Sequence, residues 1–443
     1  MNTPINFKSI NKLAVPATIA GIAEPLLSIT DTAIVGNIPV DGLESLAAAG
    51  IVGSFLSMLI WILGQTRSAI SAIISQNLGA GKLHEVKNLP AQAIYLNIGL
   101  SILILLSTIF IVDEIFELLN ASGKILRYCI SYYSIRVWGF PLTLFVFAVM
   151  GIFRGLQNTY WPMVIAIVGA VLNVILDFIL VFGVEGWIEP LYLEGAAYAS
   201  LIAQAAMAVL AFVLLMTKTD ISLRLKFLIH PELGRLVVMS LNLFVRAIAL
   251  NTALILAVRE ATGMGDKYIG AHTIAINIWL FSAFFIDGYG AAGNIMGGRL
   301  LGAKDYNGLW DLSKKIVAYG MAVSTVLMLL AFIFYYPIGS LFSKETVVLD
   351  AFYAVFFIVI LGLPINTIAF VLDGLFKGLG EMRYLRNTLL TATFLGFIPV
   401  LFLGKYMGWS LTGIWIAFSV WMFIRGGALV WKFRKKFKPL LGD

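Results

Sequence analysis

The stretch GFPLTLFVFAVMGIFRGL, residues 139–156, recurs in altered form as GLPINTIAFVLDGLFKGL, residues 362–379. Seven of the eighteen aligned positions are identical. The same offset of 223 residues brings residues 78–80 (LGA) onto residues 301–303 (LGA) without a gap. A chance match between two apolar helices could explain the first hit, but it would not reproduce the offset in the second. The sequence therefore predicts an internal duplication.

The two copies lie in a chain that is too apolar for a water-soluble globule. Of its 443 residues, 60% are hydrophobic and only 12% are charged, and the mean hydropathy is +0.93. The apolar runs are about 20 residues long or more, which is the length of membrane-spanning helices and not of barrel strands. We predict an all-α polytopic membrane protein.

Twelve spans can be identified, six in each half of the chain. Their predicted bounds are 13–36, 46–77, 91–112, 124–152, 160–183, 193–217, 234–258, 268–298, 308–336, 346–376, 384–404 and 409–431. Because six is an even number, both halves enter the membrane from the same side, which predicts two parallel six-helix lobes. We assign the lobes to residues 1–220 and 221–443, with a polar linker at their junction.

The basic residues predict the orientation. Most of the 31 Lys and Arg residues fall on one side of the spans, so the positive-inside rule places the N and C termini in the cytoplasm. A net charge of +7 could suggest nucleic acid, but these residues lie between spans, and no nucleic-acid partner is expected. The start of the chain lacks a cleaved-signal pattern. We expect a bacterial-type inner (plasma) membrane location.

The parallel repeat points to a class of function. It is typical of alternating-access transporters, an argument by analogy with known architectures. A passive channel is less consistent with lobes that carry different acids. An intramembrane enzyme would need an activated serine, a His cluster or a paired-aspartate metal motif, and none is visible, so no catalytic residues and no cofactor are predicted. Cys129 is the only cysteine.

The acidic residues inside the spans differ between the halves. Asp31 in the first span and Asp177 in the fifth align with the apolar Leu254 and Val400 of the second half. Asn173 lies four residues before Asp177 and therefore shares its helix face. Charged residues within spans are expensive to bury and are functional by default.

Tyr132 and Ser200 fall at a similar depth and complete an oxygen-rich pocket. Oxygen ligands suit a hard cation such as sodium, and two close carboxylates equally suit a proton because like charges repel. The sequence leaves the coupling ion open as H⁺ or Na⁺, with no metal expected beyond a sodium ion at the two aspartates and Asn173. The structural alternative is that one aspartate pairs with an intramembrane arginine such as Arg136.

The second half has its own charged residues within spans, Asp373, Arg246 and Asp287. A salt bridge between the arginine and one acid is at least as well supported as a second ion site. Arg67 and Arg425 also lie deep in spans, and the sequence does not name their partners.

Pro25 removes a helix hydrogen bond to Gly21 and predicts a bend in the first span, either static or coupled to protonation of Asp31. A pliable apolar substrate cavity is predicted from the side chains of Met58, Phe147, Met150 and Phe284.

Several motifs stand in order along the chain. They are DTAIVG at 31–36, QNLGAG at 76–81, RGLQNT at 154–159, NVILD at 173–177 and GAAYAS at 195–200. Together they resemble the multidrug and toxic compound extrusion (MATE) transporters, over essentially the whole chain. FVLDG at 370–374 resembles the DinF-like branch of that family.

The resemblance implies a cation-coupled antiporter that expels bulky cationic or amphipathic compounds through a cavity between two lobes. By position, Asp31, Asn173 and Asp177 match the residues credited with proton or sodium coupling. In this branch the first helix is proposed to bend at its proline, here Pro25. Asp373 matches the acid of the tenth span.

Two further positions are carried over from the family. Ser200 stands where relatives usually have threonine, and the hydroxyl is kept. Tyr132 is carried over with the adjacent Tyr133 as the alternative. The runner-up function is a lipid-linked oligosaccharide flippase of a related fold, which the four deep arginines leave open. We expect small-molecule substrates and membrane lipid as partners, and a monomer.

Overall fold

A computed structural model describes residues 4–224 and 229–441, and the side chains of residues 24, 25 and 28 lie outside the described part. The first half of the chain forms helices joined by short connections. They are α1 (Phe7–Gly36), α2 (Gly42–Leu63), α3 (Thr66–Gly79), α4 (Leu89–Ile109), α5 (Val112–Leu118), α6 (Gly123–Arg136), α7 (Gly139–Gly155), α8 (Tyr160–Phe182) and α9 (Tyr192–Lys218).

The second half repeats this pattern of long helices. They are α10 (Pro231–Met264), α11 (Asp266–Gly302), α12 (Tyr306–Ile333), α13 (Tyr335–Phe342), α14 (Thr346–Gly378), α15 (Met382–Thr391), α16 (Ile398–Tyr406) and α17 (Ser410–Phe437). A π-helical stretch, Ala392–Phe397, joins α15 to α16.

The described helices account for most of the predicted spans. Ten helical stretches are long and apolar enough to cross a membrane, and the bent pair α6–α7 makes an eleventh. They do not include α1, which at 30 residues exceeds the length of about 20 that a span needs. The described residues thus show about 10–11 apolar spans, against the twelve predicted. The predicted fold class, an all-helical membrane protein, is confirmed.

The fourth span is predicted as one continuous helix, but the structure divides it into α6 and α7. α6 and α7 meet at an angle of 46°. Pro141, in the first turn of α7, has no N–H to donate to the carbonyl of Val137, which removes one helix hydrogen bond at the break. The aligned proline of the second half, Pro364, lies inside the uninterrupted α14.

The chain divides into two compact units. Unit 1 contains Met1–Thr18, Ser75–Gly81 and Met239–Asp443, and unit 2 contains Ile19–Ile74 and Lys82–Val238. Each unit is built mainly from one half of the chain, while α1, α3 and α10 are each divided between the units. The sequence-based assignment of lobes to residues 1–220 and 221–443 stays a prediction.

Inside unit 1, the two LGA motifs of the repeat meet where α3 and α11 end. A Cβ on Gly79 would lie 1.9 Å from the carbonyl oxygen of Arg299, and a Cβ on Gly302 would lie 1.9 Å from that of Gln76. Only glycine permits this approach of the two backbones. Gln76 adds a hydrogen bond from Nε2 to the carbonyl oxygen of Gly378 at 2.7 Å.

Candidate functional site

Asn173 and Asp177 lie on the buried face of α8. Asn173 is 1% exposed and Asp177 is 0% exposed. The buried residues of α8 are mostly four apart, which is the spacing of a single helix face. They are Pro162, Ile165, Gly169, Asn173, Asp177 and Val181. Two polar groups in this stripe require polar partners, since burying them unpaired costs free energy.

Asn173 connects α8 with α1 and α9. The amide orientation is assigned from its neighbours: Nδ2 donates to Oδ1 of Asp31 at 2.8 Å, and Oδ1 accepts from Oγ of Ser200 at 3.3 Å. α9 can approach α8 this closely because Gly195 has no side chain. A Cβ there would lie 2.4 Å from the carbonyl oxygen of Leu180. Three of the five residues predicted to form the pocket, Asp31, Asn173 and Ser200, are therefore brought together.

Asp177 completes the group through a contact with Asp31. The two carboxyl groups lie within hydrogen-bonding reach of each other. Neither oxygen of Asp177 accepts a hydrogen bond from an N–H or from any other O–H group among the described residues. A contact between two carboxyl groups is a hydrogen bond only when one of them carries a proton. The neighbouring carboxyl group of Asp31 is thus the remaining candidate donor to Asp177 among the described residues.

Of the adjacent Tyr132 and Tyr133 in α6, Tyr132 is the one that has the two aspartates among its electrostatic neighbours. It is 4% exposed, and its hydroxyl lies in the electrostatic field of Asp31, Asp177 and Arg136. The adjacent Tyr133 points elsewhere. Its hydroxyl donates to Oγ1 of Thr108 at 2.6 Å.

Arg136 lies near the acid pair and forms no salt bridge with either aspartate. Its guanidinium carbon is 5.6 Å from the ring centroid of Tyr132. Its buried Nε and Nη1 atoms have no hydrogen-bond partner in the described part of the chain. It acts on the two aspartates only through its positive field. The alternative that Asp31 or Asp177 is merely half of a salt bridge with Arg136 does not match this geometry.

In unit 1, a single carboxylate is surrounded by three cationic side chains. Asp373 lies 2.5 Å from Nη2 of Arg246, 3.1 Å from Nζ of Lys377 and 3.9 Å from Nη2 of Arg425. All four side chains are at most 15% exposed. The Arg246–Asp373 salt bridge weighed from the sequence is thus formed. Asp287 is exposed and takes part in no ion pair among the described residues.

Sequence reasoning did not include Lys377 in this group. The spacing in the sequence could have identified it. Lys377 follows Asp373 by four residues on α14, and residues four apart lie on one helix face. Arg425 is held by two rings as well as by the carboxylate. Its guanidinium carbon lies 4.7 Å from the ring centroid of Trp421 and 5.6 Å from that of Phe370.

The residues predicted to line a substrate cavity differ in exposure. Met58 is 42% exposed, Phe147 and Phe284 are half-buried, and Met150 is buried. Their role in a cavity stays a prediction. The predicted bend at Pro25 falls on a residue whose side chain lies outside the described part.

Known proteins share this architecture along the whole chain. The sequence profile of the MatE family matches residues 16–179 and 243–397, one segment in each half. DNA damage-inducible protein F of Escherichia coli (strain K12) is 25% identical over 438 residues, which cover 96% of this chain and 92% of that protein. Protein DETOXIFICATION 43 of Arabidopsis thaliana is 29% identical over 300 residues, which cover 67% of this chain and 54% of that protein.

Solved structures agree on the fold. An outward-facing multidrug resistance MATE family transporter of the MOP superfamily superimposes with a TM-score of 0.89 over 98% of this chain and 96% of that one, at 19% sequence identity. The family profile matches well over half of the residues, and the expected resemblance is confirmed. The chain therefore belongs to the MatE family of membrane transporters.

Proposed function

We propose that this protein exports bulky cationic or amphipathic compounds in exchange for protons, by alternating access. Its family supports transport, and a structure with the same fold belongs to a protein described as a multidrug resistance transporter. The observation that carries the proposal is the contact between the carboxyl groups of Asp31 and Asp177 in the interior of unit 2.

The contact favours a proton as the coupling ion. Two ionised carboxylates at hydrogen-bonding distance repel each other, and no cation lies within ion-pair distance of them among the described residues to offset that repulsion. A shared proton removes the repulsion and supplies the missing donor. Asn173 stabilises the charge left on Asp31 by donating to Oδ1 at 2.8 Å.

Sodium is the alternative coupling ion. The oxygens of Asp31, Asp177 and Ser200 would supply hard ligands from three helices. A sodium ion between the carboxylates would have to fit between two groups that lie within hydrogen-bonding reach of each other. We therefore place protons first, and no cofactor is part of the proposal.

The coupling requires only that proton and cargo favour opposite states of one equilibrium. α1 offers a route for it, since Asp31 lies in the part of α1 that belongs to unit 2, whereas Phe7 and the following turns belong to unit 1. In the proposed setting the protein is a monomer in an inner membrane, with both termini in the cytoplasm.

The flippase alternative receives less support from the arginines. A lipid-linked oligosaccharide carries a pyrophosphate that free guanidinium groups would bind. Arg246 and Arg425 are instead buried against Asp373, at 6% and 3% exposure. Two of the four deep arginines therefore already form ion pairs with a carboxylate.

The decisive experiment uses purified protein in liposomes loaded with a fluorescent cationic dye. A pH gradient and a sodium gradient are imposed separately on wild type, Asp31→Asn and Asp177→Asn. Asp350→Asn is the matched control, because Asp350 is an exposed acid near the start of α14. We expect the pH gradient to drive dye export by wild type and by the control, and both site variants to lose it.

The other outcomes are equally informative. If only the sodium gradient drives export, the coupling ion is sodium and not a proton. Export by Asp31→Asn at the wild-type rate would show that the carboxyl pair is not the coupling site. If neither gradient moves any of several dyes, the multidrug proposal fails, and lipid-linked substrates become the next ones to test.

A further inference from the structure

A groove of about 1050 Å³ lies between α14 and α17 in unit 1. We call it the α14–α17 groove. Its apolar part includes Ile365 and Phe423, which are 45% and 69% exposed. Its other end is lined by Trp431, Arg434, Lys435 and Lys438. One end is thus apolar and the other end is basic.

The length of the groove matches one leaflet of a bilayer. Fifteen residues separate Phe423 from Lys438, which is about 22 Å along a helix. Half of the hydrocarbon core is about 15 Å thick, and the headgroup layer adds about 5–7 Å. Trp431 lies between the apolar and basic ends, where aromatic side chains mark the membrane interface.

The basic residues of α17 are divided between two faces. Trp431, Arg434, Lys435 and Lys438 follow a three–one–three spacing, which places them along one face. This is the face that lines the groove.

Lys432 and Lys436 lie on an adjacent face and contact α15 and the residue before it. The Nζ atom of Lys432 is 5.1 Å from the ring centroid of Tyr384, and Lys436 forms an ion pair with Glu381. α17 therefore carries one set of cations that is matched within the protein and one set that faces the groove.

The groove-facing cations have no acidic partner within residues 4–224 and 229–441. Among the described residues, no Asp or Glu lies within ion-pair distance of Arg434, Lys435 or Lys438, and all three are exposed. The Nζ atom of Lys435 lies 4.8 Å from the ring centroid of Trp431, which fixes it beside the groove. These three positive charges lie beside the apolar part of the α14–α17 groove. Such an arrangement is complementary to a lipid that carries a phosphate in its headgroup and an acyl chain.

We propose that the α14–α17 groove binds one anionic phospholipid, with its headgroup phosphate at Arg434, Lys435 and Lys438 and an acyl chain along Ile365 and Phe423. The end of α17 is cytoplasmic in the orientation proposed above, and anionic lipids are found in that leaflet. The site is separate from the carboxyl pair of unit 2, and its occupancy does not depend on which ion drives transport.

The test is native mass spectrometry of the full-length protein in detergent, titrated with phosphatidylglycerol or with phosphatidylcholine. The double variant Lys435→Gln with Lys438→Gln is compared with Lys432→Gln with Lys436→Gln. Both remove two positive charges from the end of α17, but only the first pair lines the groove. Each charge lost from the groove is expected to weaken phosphatidylglycerol binding by about fivefold, roughly 25-fold for the pair.

A third variant tests the apolar part. A Cβ on Gly427 would meet no atom within 4 Å, so Gly427→Leu adds a side chain to the groove without removing a charge. It is expected to reduce phosphatidylglycerol binding as well. If the lysine double variant fails to fold, Gly427→Leu still tests whether a lipid occupies the groove.

The proposal is overturned if the two double variants bind phosphatidylglycerol equally, or if wild type binds phosphatidylcholine as tightly. Unchanged binding in Gly427→Leu would exclude an acyl chain in the groove. Displacement of the lipid by excess inorganic phosphate would show a simple phosphate site and would likewise overturn it.

Discussion

Replacing Asp373 by Asn should destabilise unit 1 more than any other single change of charge in it. The substitution keeps the size of the side chain but leaves Arg246, Lys377 and Arg425 with no carboxylate between them, at distances that are now 2.5, 3.1 and 3.9 Å. Removing one partner of a buried ion pair costs about 3–5 kcal/mol, because the remaining charge is left uncompensated. Asp373 compensates three such charges.

The distances also rank the cationic partners. Coulomb attraction scales inversely with distance, so the attraction of Arg246 for Asp373 exceeds that of Arg425 by about 1.6-fold. Arg425→Gln should therefore cost less than Arg246→Gln. A double variant that removes both Asp373 and Arg246 should be more stable than the sum of the single effects predicts, by about 0.5–3 kcal/mol.

The assay is the apparent melting temperature of purified protein, measured by size-exclusion chromatography after heating. A loss of 3 kcal/mol corresponds to roughly 6 °C or more in a unit of this size. Asp287→Asn is the matched control, since Asp287 is an exposed acid on the neighbouring α11. The reasoning is refuted if Asp373→Asn melts as the control does, or if the double variant shows no coupling.

Three further variants, at Gly302, Gly99 and Asp41, test local packing and a surface ion pair. Gly302→Ala should lower the melting temperature, since its Cβ would lie 1.9 Å from a backbone carbonyl oxygen, and overpacking costs about 1–3 kcal/mol. Gly99→Ala in α4, with no atom within 4 Å, should gain about 0.5–1 kcal/mol, and equal effects of the two changes would contradict the close packing. Hydrogen bonds from Lys124 and, to a lesser extent, from Tyr128 hold the pKa of Asp41 below its ordinary value. The contribution of Asp41 to stability is therefore present above about pH 4 and is lost as the pH falls through the lowered pKa. Asp41→Asn should therefore lower the melting temperature at neutral pH and have progressively less effect below about pH 4, and a constant difference across that range would argue against the ion pair.

Much of the fold is determined by the sequence, because a lipid environment leaves few choices. Backbone groups in a bilayer must be hydrogen-bonded within their own segment, so an apolar run of span length forms a helix. The lengths of the apolar runs therefore predict the number of spans, and the 223-residue offset predicts the duplication. The i, i+4 spacing of Asn173 and Asp177 placed both on one face of α8, as the structure has them.

Tertiary structure decided which side chains meet. Tyr132 and Tyr133 are adjacent in sequence but point about 100° apart on a helix, and only packing determines which of them joins the acid pair. Arg246 and Asp373 lie 127 residues apart, so their pairing depends on how α10 and α14 dock. Composition can show that buried charges need partners, but it contains no distances. The three-dimensional arrangement brings two deep arginines to Asp373, whereas Asp31 has Asn173 and Asp177 as its neighbours.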